Sequence, residues 1–209
     1  MVRGGLYSRS WLFEIETFGI ESNMVDVVGL VDLTRNYFEL FQLPVSCEVD
    51  ARKLTSYYRE LQKTIHPDRF VGDSERQQRL SVQYAAHVNE AFNTLKEPLS
   101  RAVYLLKLSG RDLDMENNTV MDPAFLMEQM ELREAASDLK TEDRPKAEFD
   151  RLMSRVEEGI EAILSQFRGL WQSGTDQDLD QAETVVRKLQ FMVKLAAELE
   201  QLEFQWLDG

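Results

Sequence analysis

From Asn36 onward, apolar residues return every three to four positions, a spacing that predicts helices rather than strands. Tyr37-Phe38-Glu39-Leu40-Phe41 reads as a short apolar turn ended by Pro44, which disfavours helix at Leu43. Asp50 is placed to cap a helix running to about Ile65, with Leu54, Tyr57, Tyr58, Leu61 and Ile65 on one face. The opposite face carries Arg52, Lys53, Arg59 and Lys63 against Glu60. Pro67 stops that helix. Ser74 and Gln77 form a capping-box pattern that opens the next one, where Tyr84, Val88, Ala91, Phe92 and Leu95 recur at helical spacing. A fourth segment, roughly 100–109, presents Val103, Tyr104, Leu106 and Leu108 and ends at Gly110, a natural C′ residue.

Residues 111–121 are polar and turn-rich and read as a linker. Asp122-Pro123 is an N-cap followed by a proline at the first helical position, starting a helix to about Leu139. A second helix begins near Pro145 and sustains Phe149, Leu152, Met153, Val156, Ile160, Ile163, Leu164 and Phe167. After the break Ser173-Gly174-Thr175-Asp176, a third runs from about Asp178 to Trp206. Three long helices with short connections predict an antiparallel bundle over 122–209. Residues 1–35 lack periodicity and read as an N-terminal extension, either disordered or lying upstream of the true start, with no function assigned.

Composition agrees with an all-α protein. Apolar residues make up 43% and charged residues 29% of the 209, with only 10 Gly and 5 Pro. The net charge of -13 argues against a nucleic-acid partner. It is unevenly placed: residues 37–109 carry 10 basic and 9 acidic side chains, whereas 110–209 carry 11 and 23. That shift near 110 marks a boundary between a unit at 36–110 and the bundle. One cysteine, Cys47, excludes an intramolecular disulfide and any multi-cysteine metal site. The chain reads as cytoplasmic, with neither a membrane-length apolar run nor a leader pattern.

Little in the sequence suggests catalysis. His66 and Asp68 have no nucleophile or oxyanion donor beside them, so no catalytic residue, cofactor or metal is expected. His87 reads as a packing residue. The Asp176, Asp178, Asp180 run lacks the glycine and glutamate of a calcium loop and reads as charge at a helix N-terminus. Helical geometry does suggest a binding surface. Taking Leu132 as reference, Phe125, Ala136 and Leu139 fall within roughly 40° of it, a core stripe. Leu126, Met127 and Met130 fall about 120–160° away, with Arg133 and Glu134 flanking them. In the last helix, Ala182, Val185, Met192, Val193 and Ala196 lie within roughly 60° of Leu189, and Phe191 about 160° off. An exposed Leu-Met-Met group and an exposed Phe, rimmed by charge, predict one adaptable protein-binding patch.

The basic helix, the tripeptide His66-Pro67-Asp68 in the turn and the antiparallel partner helix containing Asn89-Glu90-Ala91-Phe92 resemble the J-domain of DnaK-type chaperone partners. The segment 124–134, together with Val186-Arg187-Lys188-Leu189-Gln190-Phe191, is similar to the HscB-type iron–sulfur co-chaperone family. General J-proteins, the alternative reading, carry a Gly/Phe-rich stretch and often zinc-binding cysteines that this sequence lacks. The resemblance implies a J-domain joined to a C-terminal three-helix bundle, and a co-chaperone that is not an enzyme. It further implies that the protein brings an IscU-type scaffold to an HscA/DnaK-type ATPase and stimulates ATP hydrolysis there. Chaperone binding then maps to His66, Pro67, Asp68 and Arg69, where a lysine is common, with Arg52, Lys53, Arg59 and Lys63. Scaffold binding maps to Leu126, Met127, Met130, Glu131, Arg133, Glu134 and Phe191.

Overall fold

The computed structural model describes residues 33–72, 74–113, 122–141 and 146–208. Expectations for the first 32 residues and for most of the 111–121 linker lie outside them. The described residues form seven α-helices: α1 (Tyr37–Leu40), α2 (Ala51–Ile65), α3 (Glu75–Lys96), α4 (Pro98–Leu108), α5 (Pro123–Thr141), α6 (Lys146–Ser173) and α7 (Asp176–Asp208). A 3-10 turn, Pro67–Phe70, lies between α2 and α3. Among the described residues there is no strand, and no helix is long and apolar enough to cross a membrane.

Local hydrogen bonds set the helix ends where the sequence expects them. Asp50 Oδ1 accepts from the backbone N–H of Arg52 at 3.0 Å and of Lys53 at 3.1 Å, and the latter bond leads in holding the Asp50 carboxyl below the usual carboxylate range. Ser74 accepts from Gln77 N–H while Gln77 Oε1 accepts from Ser74 N–H at 3.1 Å, closing the capping box. Gly110 adopts φ +83°, the left-handed conformation that ends α4.

The antiparallel pair α2/α3 is pinned on its edge by Asn89. Its Oδ1 accepts from Tyr58 Oη at 2.9 Å and from Gln62 Nε2, and the Tyr58 ring stacks on Phe92 at 4.1 Å. Inside, Phe38, Phe41, Leu54, Ile65, Val88, Ala91, Leu95, Leu105 and Leu106 form one buried cluster. The short α1 is held across it: Tyr37 N–H donates to Tyr104 Oη at 2.9 Å and the two rings stack at 4.4 Å. Burial, followed by its bond to Glu90, pushes the Tyr37 hydroxyl up to about 12. The Arg101 guanidinium donates to the carbonyls of Cys47, at 2.8 Å, and of Leu95, fastening the loop before α2. Burial pushes the Cys47 thiol up to about 11, so it stays protonated and unreactive at neutral pH.

The second cluster joins α5, α6 and α7 through Phe125, Leu132, Leu139, Phe149, Leu152, Val156, Phe191, Met192, Leu195, Leu199 and Leu202. Gly174, at φ +64°, turns the chain between α6 and α7. The helix α7 belongs to both clusters. Its first half gives Leu179, Ala182, Val185 and Val186 to the α1–α4 core, joined there by Phe167 of α6. Its second half gives the residues from Phe191 onward to the bundle core. Arg111, just past α4, clamps the junction by pairing with Asp180, with Glu183 at 3.2 Å and with Asp176 at 3.5 Å. In the acidic run at the start of α7, Asp176 and Asp180 are therefore engaged by a guanidinium, while Asp178 accepts from the Ser173 and Thr175 hydroxyls. Among the described residues, no group of His, Cys, Asp and Glu side chains is arranged to hold a metal.

Candidate functional site

The turn between α2 and α3 holds His66-Pro67-Asp68 in a capped conformation with the His66 and Asp68 side chains exposed. Proline at position 67 has no N–H to lose and opens the 3-10 turn. The His66 side chain caps it: Nδ1 accepts from Asp68 N–H at 3.3 Å. With Nδ1 used as acceptor, the ring proton sits on Nε2, leaving that edge free to donate. Asp68 Oδ2 lies 3.5 Å from Nδ1, a distance that becomes an ion pair only when the ring takes a second proton. Both side chains are exposed, whereas Phe70 drops into the core and anchors the turn from below. Arg69 is used internally as well: its Nη1 donates to the Lys63 carbonyl at 3.0 Å, capping the end of α2.

Arg52, Lys53, Arg59 and Lys63 are all exposed on α2. Arg52, Arg59 and Lys63 lie in one row seven and four residues apart, with Thr55, Ser56 and Glu60 lining the same open surface. Lys53 stands about 100° to the side of that row. The row thus runs along α2 from its first turn, at Arg52, to Lys63 just before the His66-Pro67-Asp68 turn.

On α5, Leu126, Met127 and Met130 are 42, 67 and 72% exposed. Glu131, Arg133 and Glu134 are exposed around them, with Phe125, Leu132, Ala136 and Leu139 buried beneath. Phe191 departs from expectation. It was expected to stand open, yet it is only 9% exposed, its ring packed edge-on against Phe125 at 5.8 Å. The cause is that α7 is covered on one side by the α1–α4 core and farther along, on a different side, by α5. A residue 160° from the first stripe is therefore still inside. Arg133 roofs it, with its guanidinium carbon 5.5 Å from the ring centroid, and Lys188 lies 5.0 Å from the Phe125 ring. Phe191 is the floor of the patch rather than part of its open surface.

Periodicity within one helix cannot reveal partners on another, and two such residues were missed. Arg155 of α6 pairs with Glu131 at 3.5 Å, fixing one rim of the patch. Lys188 pairs with Asp122 at 3.5 Å at the start of α5.

Comparison with known proteins assigns the family. The family described as HSCB C-terminal oligomerisation domain matches residues 121–200. The co-chaperone protein HscB homolog of Shewanella baltica (strain OS195) is 44% identical over 173 residues, spanning 83% of this chain and 99% of that protein. Among solved structures, chaperone HscB from Vibrio cholerae is 41% identical with a TM-score of 0.72, covering 82% of this chain and 99% of its own. Human co-chaperone protein HscB is 29% identical with a TM-score of 0.75, over 83% and 84%. Identity of this level across both the hairpin and the bundle leaves one assignment: the chain belongs to the HscB family of J-domain co-chaperones.

Proposed function

We propose that this protein delivers an IscU-type iron–sulfur scaffold to an HscA/DnaK-type chaperone and stimulates ATP hydrolysis by that chaperone, so assisting the maturation of iron–sulfur proteins. We assign its work to the cytoplasm. The observation that carries this reading is the capped turn, in which His66 and Asp68 are ordered yet exposed beside a row of basic residues.

The mechanism needs no chemistry from this chain. A preformed turn loses little entropy on docking. The Nε2–H of His66 can donate, and the Asp68 carboxylate can accept two parallel bonds from an arginine of the ATPase. Arg52, Arg59 and Lys63, with Lys53 beside them, speed encounter with an acidic surface, and such contacts dissociate readily as salt rises. Meanwhile Leu126, Met127 and Met130 bury apolar surface against the scaffold, the unbranched methionines adjusting to its shape. Glu131, Arg133 and Glu134 orient it from the rim, with Phe191 underneath.

A steady-state assay of the partner chaperone's ATPase, with and without scaffold, tests the reading. Wild-type protein is expected to raise the rate and His66→Gln to leave it at its basal value, with scaffold binding retained. Stimulation by His66→Gln equal to wild type would sink the assignment of the turn.

A further inference from the structure

Outside the α5 patch, the two most exposed aliphatic side chains of the hairpin unit are Val71, at 73%, and Val82, at 57%. Single exposed valines are ordinary on a protein surface, so exposure alone says little. Their arrangement says more. Val71 directly follows the 3-10 turn, and Gln78 Nε2 donates to its carbonyl at 3.1 Å. Gln78 and Val82 are one helical turn apart on α3 and so share a face. The same face carries Glu75 and Arg79, which pair with each other at 3.8 Å, and these two residues line one open depression with Gln78 and Val82. The result is a shoulder with two exposed valines on which the described charges, Glu75 and Arg79, pair with each other. Through Val71 it adjoins the end of the Pro67–Phe70 turn.

We infer that this shoulder, Val71 and Val82 around Gln78, is a second contact for the chaperone ATPase and receives an apolar segment of that partner once the turn has docked. The inference rests on the docking reading of the turn. Continuity fixes the occupant: a partner seated on exposed His66 and Asp68 must pass over one side of the turn or the other. On the α2 side it meets net positive charge, Arg52, Arg59 and Lys63 around Glu60. On the α3 side it meets aliphatic surface with no net charge, where burial is favourable and indifferent to salt. The two sides therefore divide the work. The cations set the rate of encounter, and the valines set how long the docked complex lasts.

The test uses the full chain, the cognate chaperone and no scaffold, and reads the co-chaperone concentration giving half-maximal ATPase stimulation at low and at high salt. In Val71→Ala/Val82→Ala that concentration is expected to rise at least about tenfold at both salt levels, with the maximal rate retained. The conservative pair Val71→Ile/Val82→Leu is expected to restore it. Alanine favours helix at position 82, so loss of fold does not confuse the result. A half-maximal concentration within about twofold of wild type, while His66→Gln still abolishes stimulation, overturns this inference and leaves the docking reading standing. Undiminished stimulation by His66→Gln removes both. In a separate titration with the scaffold alone, a double variant that weakens scaffold binding instead also overturns the inference, since the occupant would then be the scaffold.

Discussion

The hairpin and the bundle expose opposite materials. On α2 and its turn the accessible groups are guanidinium, ammonium, imidazole and carboxylate, carried on backbone fixed by caps at both ends of the helix. On α5 they are a leucine and two methionines, standing over an aromatic pair that is itself roofed by cations. Fixed charge recognises at a distance and lets go easily, because water and salt compete for every contact. Apolar area recognises only on contact, and what it gains is proportional to the surface it hides. The proposed function would draw on both: one end would visit a chaperone ATPase many times, and the other would keep a scaffold between visits.

The largest effect should come from below the patch. Phe191→Ala removes a buried ring from the bundle core and is expected to cost about 3–5 kcal/mol of stability, read as a lowered thermal midpoint. A midpoint unchanged from wild type would return Phe191 to the open surface. Next, Leu126→Ala, Met127→Ala and Met130→Ala together should weaken scaffold binding about a hundredfold by titration calorimetry, with the thermal midpoint nearly unmoved. Unaltered affinity would place the scaffold elsewhere. Smaller again, Arg59→Ala with Lys63→Ala should raise the half-maximal concentration for ATPase stimulation about tenfold at low salt and flatten its salt dependence. If the triple α5 variant showed the same salt behaviour, the contrast between the two surfaces would be false. Smallest of all is Gly159→Ala. A Cβ there meets only the terminal methyl of Met192, the far end of an unbranched side chain, and the gain in helix propensity of about 1 kcal/mol offsets the shift. Stability and scaffold affinity should stay within about 0.5 kcal/mol of wild type by denaturant titration. A larger loss would make the α6/α7 contact a rigid support for the patch.

Features that depend on neighbours within a turn or two were legible in the sequence. The Asp50 cap, the Ser74–Gln77 box and the Gly110 stop each require only residues a few positions apart, and each forms as the sequence suggests. The exposure of Leu126, Met127 and Met130 was legible too, because α5 is covered along one stripe only. Phe191 was not, because α7 is covered on different sides along its length and periodicity cannot say what lies across from a residue. The same holds for Tyr104 receiving the backbone of Tyr37, for Arg111 reaching Asp180 and for Arg155 meeting Glu131. Their partners lie tens of residues away, and nothing local announces them.

Because one uninterrupted helix, α7, enters both cores, it behaves like a keyed shaft between two fittings. An α-helix turns about 100° and rises about 1.5 Å per residue. Inserting a single residue between Val186 and Phe191 would therefore swing everything beyond it a quarter turn or more about that axis, with hardly any change in length. The phase of the α5 patch relative to the His66-Pro67-Asp68 turn is thus written in the residue count of α7.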